Sequence, residues 1–293
     1  MPASPLAADD FAMPVEMVEV RAGRVLAVYR KPRRHAPLAV FIHGSCARMT
    51  QWRAQAEHLV ATHGVLAFDL LGCGRSEKPR GWNCYSIDEH LADVLALVLK
   101  ETDGQQLRHL LLLGHSAGAT LALRCAAALE DEPNCHVQSI VLCGAAALPP
   151  LPSTALFRLP LCALELLKPL LDSGFEQLAL HPATREANGE LLAKARATNE
   201  ANVMHMCRAY YRQLRLPTAD ELARAARGGR AVLLLHGEAD GLVPPERSAA
   251  LQAALGAAGA RCERHVLPRA SHQVMEEQPK DVNARIDAFL RMV

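Results

Sequence analysis

The chain has 293 residues, half of them hydrophobic and 22% charged, with a formal net charge of +1. That composition excludes a disordered chain and gives no reason to look for nucleic acid or an acidic partner. It is ample for one large domain carrying an insertion.

The opening "MPASPLAADDFAMP" has neither a basic nor an apolar leader region, so no secretory signal is expected. "VEMVEVRAGRVLAVYR" alternates about Ala22-Gly23 and predicts a β-hairpin. The basic run at 30–35 reads as a solvated loop. "LAVFIHG" predicts a buried strand, "TQWRAQAEHLVATHG" an amphipathic helix closed by glycine, and "VLAFDLLG" a strand. "SIDEHLADVLALVLK" predicts a helix, with Ser86 and Glu89 at capping-box spacing. "HLLLLGHS", "ATLALRCAAALE" and "SIVLCG" continue as strand, helix, strand. Residues 145–228 then break the rhythm. They are rich in Leu and Ala, helical in composition, and punctuated by Pro149, Pro150, Pro152, Pro160 and Pro169. "AVLLLHG", "ERSAALQAALGAAG", "CERHVLP" and "DVNARIDAFLRM" resume the alternation.

This order predicts an α/β fold with a mostly parallel, doubly wound sheet covered on both faces. Residues 1–144 and 229–293 would form the core. Residues 145–228 would form a helical cap over the carboxyl edge of the sheet, where open α/β sheets bind ligands. No apolar stretch reaches the roughly 18–20 uninterrupted residues of a membrane span. "LPLCALELLKPLLDSG" comes nearest, and Glu165, Lys168 and Pro169 interrupt it. The nine cysteines lack any C-x-x-C spacing, so neither a metal site nor a complete disulfide framework is expected. Reduced thiols in the cytoplasm fit this pattern.

"GHSAG" turns directly from a strand into a helix. Such a tight reversal strains the residue at its apex, Ser116, and leaves no room for a Cβ at Gly114 or Gly118. Ser116 then sits at a helix N-terminus, where the N–H of Ala117 is free to stabilise an oxyanion. A serine nucleophile needs a base and an orienting acid. Asp240 in "EADGLVPP" and His272 in "RASHQVMEEQP" each follow a late strand, and Ser-Asp-His is the chain order that accompanies this elbow. Glu238 and His265 are the rival positions. In "FIHGSCARMTQW" the Ser45 N–H is the natural second oxyanion donor, with Cys46 as competitor and the Ser45 hydroxyl as a third donor. His43, Gly44 and His115 read as supports for these loops, Asp69 as a turn residue and Trp52 as packing. "GCGRS" lacks the Gly-Lys-Ser/Thr end of a phosphate loop.

Five segments together, "HGSCARMTQW", "FDLLGCGRSEKP", "LLLGHSAGATLAL", "LLLHGEADGLVP" and "LPRASHQVMEEQPKDVNARIDAFL", resemble the α/β-hydrolase fold family, of the lipase/esterase-like type. They cover the chain apart from the N-terminus and the insertion. The resemblance implies a cofactor-free hydrolase with Ser116 as nucleophile, His272 as base, Asp240 as acid and a helical cap. Many relatives have glycine where this chain has Ser271. The serine elbow separates the chain from members that use aspartate there, such as epoxide hydrolases.

The insertion carries no substrate signature. Its apolar run, "TALFRLPLCALELLKPLLDSGFEQLAL", packs on the core in one reading and forms an acyl pocket or a weak lipid-facing surface in another. The expected function is therefore hydrolysis of a small-molecule carboxylic ester, with acylglycerols or lysophospholipids suggested by the apolar cap. The alternative is a scaffold that keeps the fold and binds without useful turnover.

Overall fold

The computed structural model describes residues 15–293, apart from 34, 104–107, 146 and 148–151. Residues 1–14, Pro149 and Pro150 lie outside the described residues. Eight strands form one sheet: β1 (Glu16–Arg21), β2 (Arg24–Lys31), β3 (Leu38–Ile42), β4 (Gly64–Phe68), β5 (Arg108–His115), β6 (Cys135–Cys143), β7 (Ala231–Gly237) and β8 (Arg261–Leu267). Their order is β1-β2-β4-β3-β5-β6-β7-β8. β1 and β2 form the hairpin, with Gly23 at φ 68°, and β2 also runs antiparallel to β4. Every other pairing is parallel.

The apolar runs are near-continuous because both faces of the sheet are covered, so alternate side chains enter different cores. Leu38, Val40 and Ile42 of β3 join Leu110 and Leu112 of β5 in one cluster. Ala39, Phe41, Leu111 and Leu113 join the other. Full burial of each large side chain contributes about 1.5–3 kcal/mol. The first face is closed by α2 (Ile87–Thr102) and α3 (Ala117–Ala128), and the second by α1 (Arg53–Leu59) and a C-terminal helix, Pro279–Leu290.

Two local details differ from the sequence pattern. α1 stops at Leu59, because Gly64 already pairs with Pro37 O at 2.9 Å to begin β4. Only half of the α2 capping box forms. Ser86 Oγ accepts from Glu89 N at 3.2 Å, while the Glu89 carboxylate turns away to Arg21 at 2.9 Å.

Between β6 and β7 the described residues are helical, with no strand. They include α4 (Leu161–Ala179), α5 (Pro182–Ala187), α6 (Gly189–Ala201), α7 (Met204–Arg212) and α8 (Ala219–Ala225). Arg124 of α3, almost fully buried, binds Asp88 at 2.6 Å and Glu221 at 2.8 Å, so one guanidinium joins α2, α3 and α8. α4 runs through Pro169, and its apolar residues divide: Leu164 is buried, whereas Leu166 and Leu170 are exposed. Among the described residues no helix is long and apolar enough to cross a membrane.

Candidate active site

The carboxyl ends of β3, β5 and β8 converge on one cavity of about 130 Å³. Ser45, Ser116 and His272 line it, together with Leu171 and Phe175 of α4 and Tyr211 of α7.

Ser116 has φ 52° and ψ −118°, a left-handed conformation that costs on the order of 1–3 kcal/mol for a residue with a Cβ. Two glycines make the bend sterically feasible. A Cβ on Gly114 would lie 2.5 Å from Gly118 O. One on Gly118 would collide with His43 O and lie 2.5 Å from Ile42 O. The Ser116 N–H donates to Cys143 O at 2.9 Å, so sheet pairing holds the elbow to its apex. Ala117 is the first residue of α3, so its N–H has no intrahelical acceptor. The Ser116 hydroxyl makes no helix-capping hydrogen bond.

Asp240 and His272 are brought together. His272 Nδ1 lies 2.8 Å from Asp240 Oδ2. A carboxylate can only accept, so Nδ1 carries a proton toward Asp240 and Nε2 is the nitrogen left to act as base. Asp240 also accepts at Oδ1 from Leu242 N (2.9 Å) and Val243 N (2.8 Å). His236, fully buried on β7, places Nε2 3.1 Å from Asp240 Oδ2 and 2.7 Å from Val243 O. Burial pushes the Asp240 carboxyl upward. The His272 charge, hydrogen bonds from His236 and His272, and the Val243 N–H outweigh it and hold the group well below the usual carboxylate range.

The rivals stand apart. Glu238 is exposed, and His265 pairs with Glu263 on β8. Ser271, beside the histidine, is accommodated by its hydroxyl, which donates to Leu178 O (2.8 Å) and Ala239 O (3.0 Å).

The loop after β3 approaches the elbow closely. A Cβ on Gly44 would lie 2.7 Å from His115 Nδ1 and 3.3 Å from Ser116 Cβ. Gly44 N–H is taken by Gln51 Oε1 at 3.1 Å, while Ser45 N–H has no backbone acceptor among the described residues. His43 Nε2 accepts from Leu70 N at 2.9 Å, so its Nδ1–H donates to Gly44 O at 2.7 Å. Burial lowers this imidazole to about 4, against a smaller upward effect of Gly44. His115 Nε2–H donates to His272 O at 2.9 Å, and the two rings lie 4.7 Å apart. Burial, then the His272 charge, lowers the His115 imidazole well below the ordinary histidine value. Asp69 ties its turn through Met49 N (2.7 Å) and Arg75 N (2.8 Å), and Trp52 is fully buried with Nε1–H on Ile42 O at 3.1 Å. Cys46 donates to Cys207 Sγ at 3.3 Å. That contact, then burial, pushes its thiol well up; burial does the same to Cys73.

Charges along the cavity wall have partners. Lys194 binds Glu276 Oε1 at 2.8 Å, Asp172 binds Lys168 at 2.6 Å, and Arg48 Nε donates to Thr198 Oγ1 at 3.0 Å. Among the described residues no group of three or more His, Cys, Asp or Glu could hold a metal ion.

Sequence reasoning did not single out His236, Gln51 or the grip of Tyr211 on Ser45. The position of His236, four residues before Asp240 at a strand end, was the available signal for the first. Nothing local marks the others.

A family model described as the alpha/beta hydrolase family matches residues 39–285. Over 101 residues the chain is 33% identical to the AB hydrolase superfamily protein YfhM of Bacillus subtilis, covering 34% of this chain and 34% of that protein. It thus spans about a third of that curated relative's length. A hydrolase structure from Pseudomonas aeruginosa superposes with a TM-score of 0.76 at 22% identity, covering 96% of this chain and 99% of the other. A thermophilic esterase from Thermogutta terrifontis gives 0.72 at 20%, covering 95% and 97%. At these identities the structural likeness speaks for the fold.

Proposed function

The chain belongs to the alpha/beta hydrolase family, and from that premise we propose that it is a serine hydrolase cleaving small, uncharged carboxylic esters. The observation that carries the reading is the His272–Asp240 pair, joined at 2.8 Å beside the cavity onto which the strained Ser116 opens.

In this mechanism His272 Nε2 takes the Ser116 proton as Oγ attacks the ester carbonyl. Asp240 keeps the proton on Nδ1 and stabilises the imidazolium. The Ala117 and Ser45 N–H groups hold the oxyanion. As the tetrahedral intermediate collapses, the alcohol leaves with the proton from His272. Water, deprotonated by the same nitrogen, then releases the acid and restores Ser116.

The paired charges along the wall support an uncharged substrate, and a cavity of about 130 Å³ supports a small acyl group over a long chain. Exposed Leu166 and Leu170 favour one narrower addition, weak contact of α4 with lipid. Liposome co-sedimentation of wild type against a Leu166→Ser/Leu170→Ser variant tests it, and equal binding removes it. All nine cysteines are free, which supports a reducing compartment such as the cytoplasm.

A fluorophosphonate probe tests the main reading. It should label wild type and not Ser116→Ala, and that variant should lose on the order of 10⁶-fold in kcat, by analogy with nucleophile deletions. Folded wild type that takes no label points instead to a binding scaffold.

A further inference from the structure

The loop after β3 is held from the helical segment between β6 and β7. Asn202 Nδ2–H donates to Cys46 O at 2.7 Å, Arg48 reaches Thr198, and Cys46 meets Cys207. The fourth contact has a different chemistry: Ser45 Oγ lies 2.8 Å from the Tyr211 hydroxyl.

Two hydroxyl groups carry two protons, and the hydrogen bond between them uses one. Neither oxygen has another partner among the described residues, and both residues line the cavity with Ser116. One O–H is therefore left to donate into the site. A phenol is the stronger donor and an alkyl hydroxyl the better acceptor, which favours the arrangement in which Tyr211 O–H donates to Ser45 Oγ and the Ser45 O–H turns to the cavity. The Tyr211 ring is fixed for this. It stacks on Phe157 at 4.2 Å and 19°, and meets Tyr210 edge-on at 5.6 Å and 87°. The loop backbone runs close to the nucleophile one residue earlier, since a Cβ on Gly44 would touch Ser116 Cβ at 3.3 Å.

We propose that in the ester cleavage assigned above to Ser116, on which this inference rests, Ser45 Oγ–H is a third oxyanion donor and Tyr211 is its positioning residue. No bond is made or broken in this role. As negative charge develops on the carbonyl oxygen, the Ser45 hydrogen bond becomes charge-assisted, which roughly doubles its strength. The chain Tyr211 O–H to Ser45 O–H to oxyanion polarises along its length. The interaction grows toward the transition state, so it acts on kcat and leaves substrate binding nearly unchanged. It also makes the helical segment a participant in the chemistry, because Tyr211 comes from α7 and Ser45 from the core.

The test is steady-state hydrolysis of p-nitrophenyl acetate by wild type, Tyr211→Phe, Ser45→Ala, Ser45→Thr and the Tyr211→Phe/Ser45→Ala double variant, with melting temperatures measured in parallel. Tyr211→Phe and Ser45→Ala should each lower kcat by about ten- to a hundredfold with KM within about twofold, less than the loss of a main oxyanion donor. The double variant should match Ser45→Ala, because Tyr211 acts only through the Ser45 hydroxyl. Ser45→Thr, which keeps a hydroxyl, should recover most of the rate. A folded Tyr211→Phe protein with wild-type kcat overturns the proposal, as does a double variant whose loss is the product of the single losses. Wild type that hydrolyses no ester and takes no fluorophosphonate label fails the hydrolytic reading itself and carries this inference down with it. An active, labelled wild type with an unaffected Tyr211→Phe variant fails this inference alone.

Discussion

His236 and His272 hold the same oxygen of Asp240, at 3.1 Å and 2.8 Å from Oδ2. The two imidazoles differ in kind. His272 lines the cavity, whereas His236 is fully buried and shares its Nε2–H with Val243 O. His236 thus fixes the carboxylate that fixes the base.

His236→Phe removes that donor and leaves Val243 O without it, which should cost about 1–3 kcal/mol at pH 7. The sign with pH follows from Asp240. Its folded pKa is depressed, so its stabilising contribution is present above the ordinary carboxylate value and is lost as pH falls through the folded one. Weakening the depression shrinks that contribution, so the gap between wild type and variant should hold through the ordinary carboxylate range and close only as pH approaches the depressed folded value. Guanidinium unfolding at pH 7 and pH 3 should therefore give nearly the same gap; a gap already closed at pH 3 is the contrary result.

Two glycines near the elbow should fail differently. Gly118→Ala drives a Cβ into the carbonyls of His43 and Ile42, rigid backbone at the end of β3, and should cost about 1–3 kcal/mol or more. Gly44→Ala meets the His115 ring at 2.7 Å and must shift the loop that carries Ser45. Its loss should appear mainly in kcat, with a melting temperature closer to wild type. A Gly44→Ala enzyme with native turnover contradicts the close approach argued for that loop.

Stability should fall as pH drops from about 6.5 toward 4. His90 and His43 are buried, and burial lowers them to about 3 and about 4. In that window the unfolded chain binds protons that the folded protein refuses. Asp69, raised by burial to about 6, works in the opposite direction and offsets part of the slope. His90 packs between the rings of Tyr85 (6.4 Å) and Tyr210 (5.5 Å), so His90→Phe should keep the packing and flatten the acid side. Melting temperatures from pH 7.5 to pH 4 read this directly; parallel curves for the two proteins count against it.

Acyl-chain preference follows from the size of the cavity. Among p-nitrophenyl esters, acetate and propionate should give the highest kcat/KM, with a drop of at least about tenfold between butyrate and octanoate as the chain overfills the site. A maximum at palmitate would show that the helical segment opens to a long acyl chain and that the small-ester reading is wrong.

The sequence by itself determined the strands and the order of the sheet's chemistry-bearing loops. Apolar runs such as "LAVFI" and "LLLL", short and alternating with amphipathic helical patterns, read as strands buried on both faces, and the need for Gly114 arises within five residues, where a Cβ would meet Gly118 O, whereas Gly118 answers to the carbonyls of Ile42 and His43 at the end of β3. Asp240 and His272 were legible for the same reason, each following its strand directly. Tertiary structure alone decided that Tyr211 would meet a hydroxyl 166 residues away, that Arg124 would join three helices, and which leucines of α4 face the cavity or the solvent. Local pattern is set by neighbours along the chain. These contacts are set by how whole elements pack, and the apolar residues of α4 look alike until the sheet beneath them gives the helix an inside and an outside.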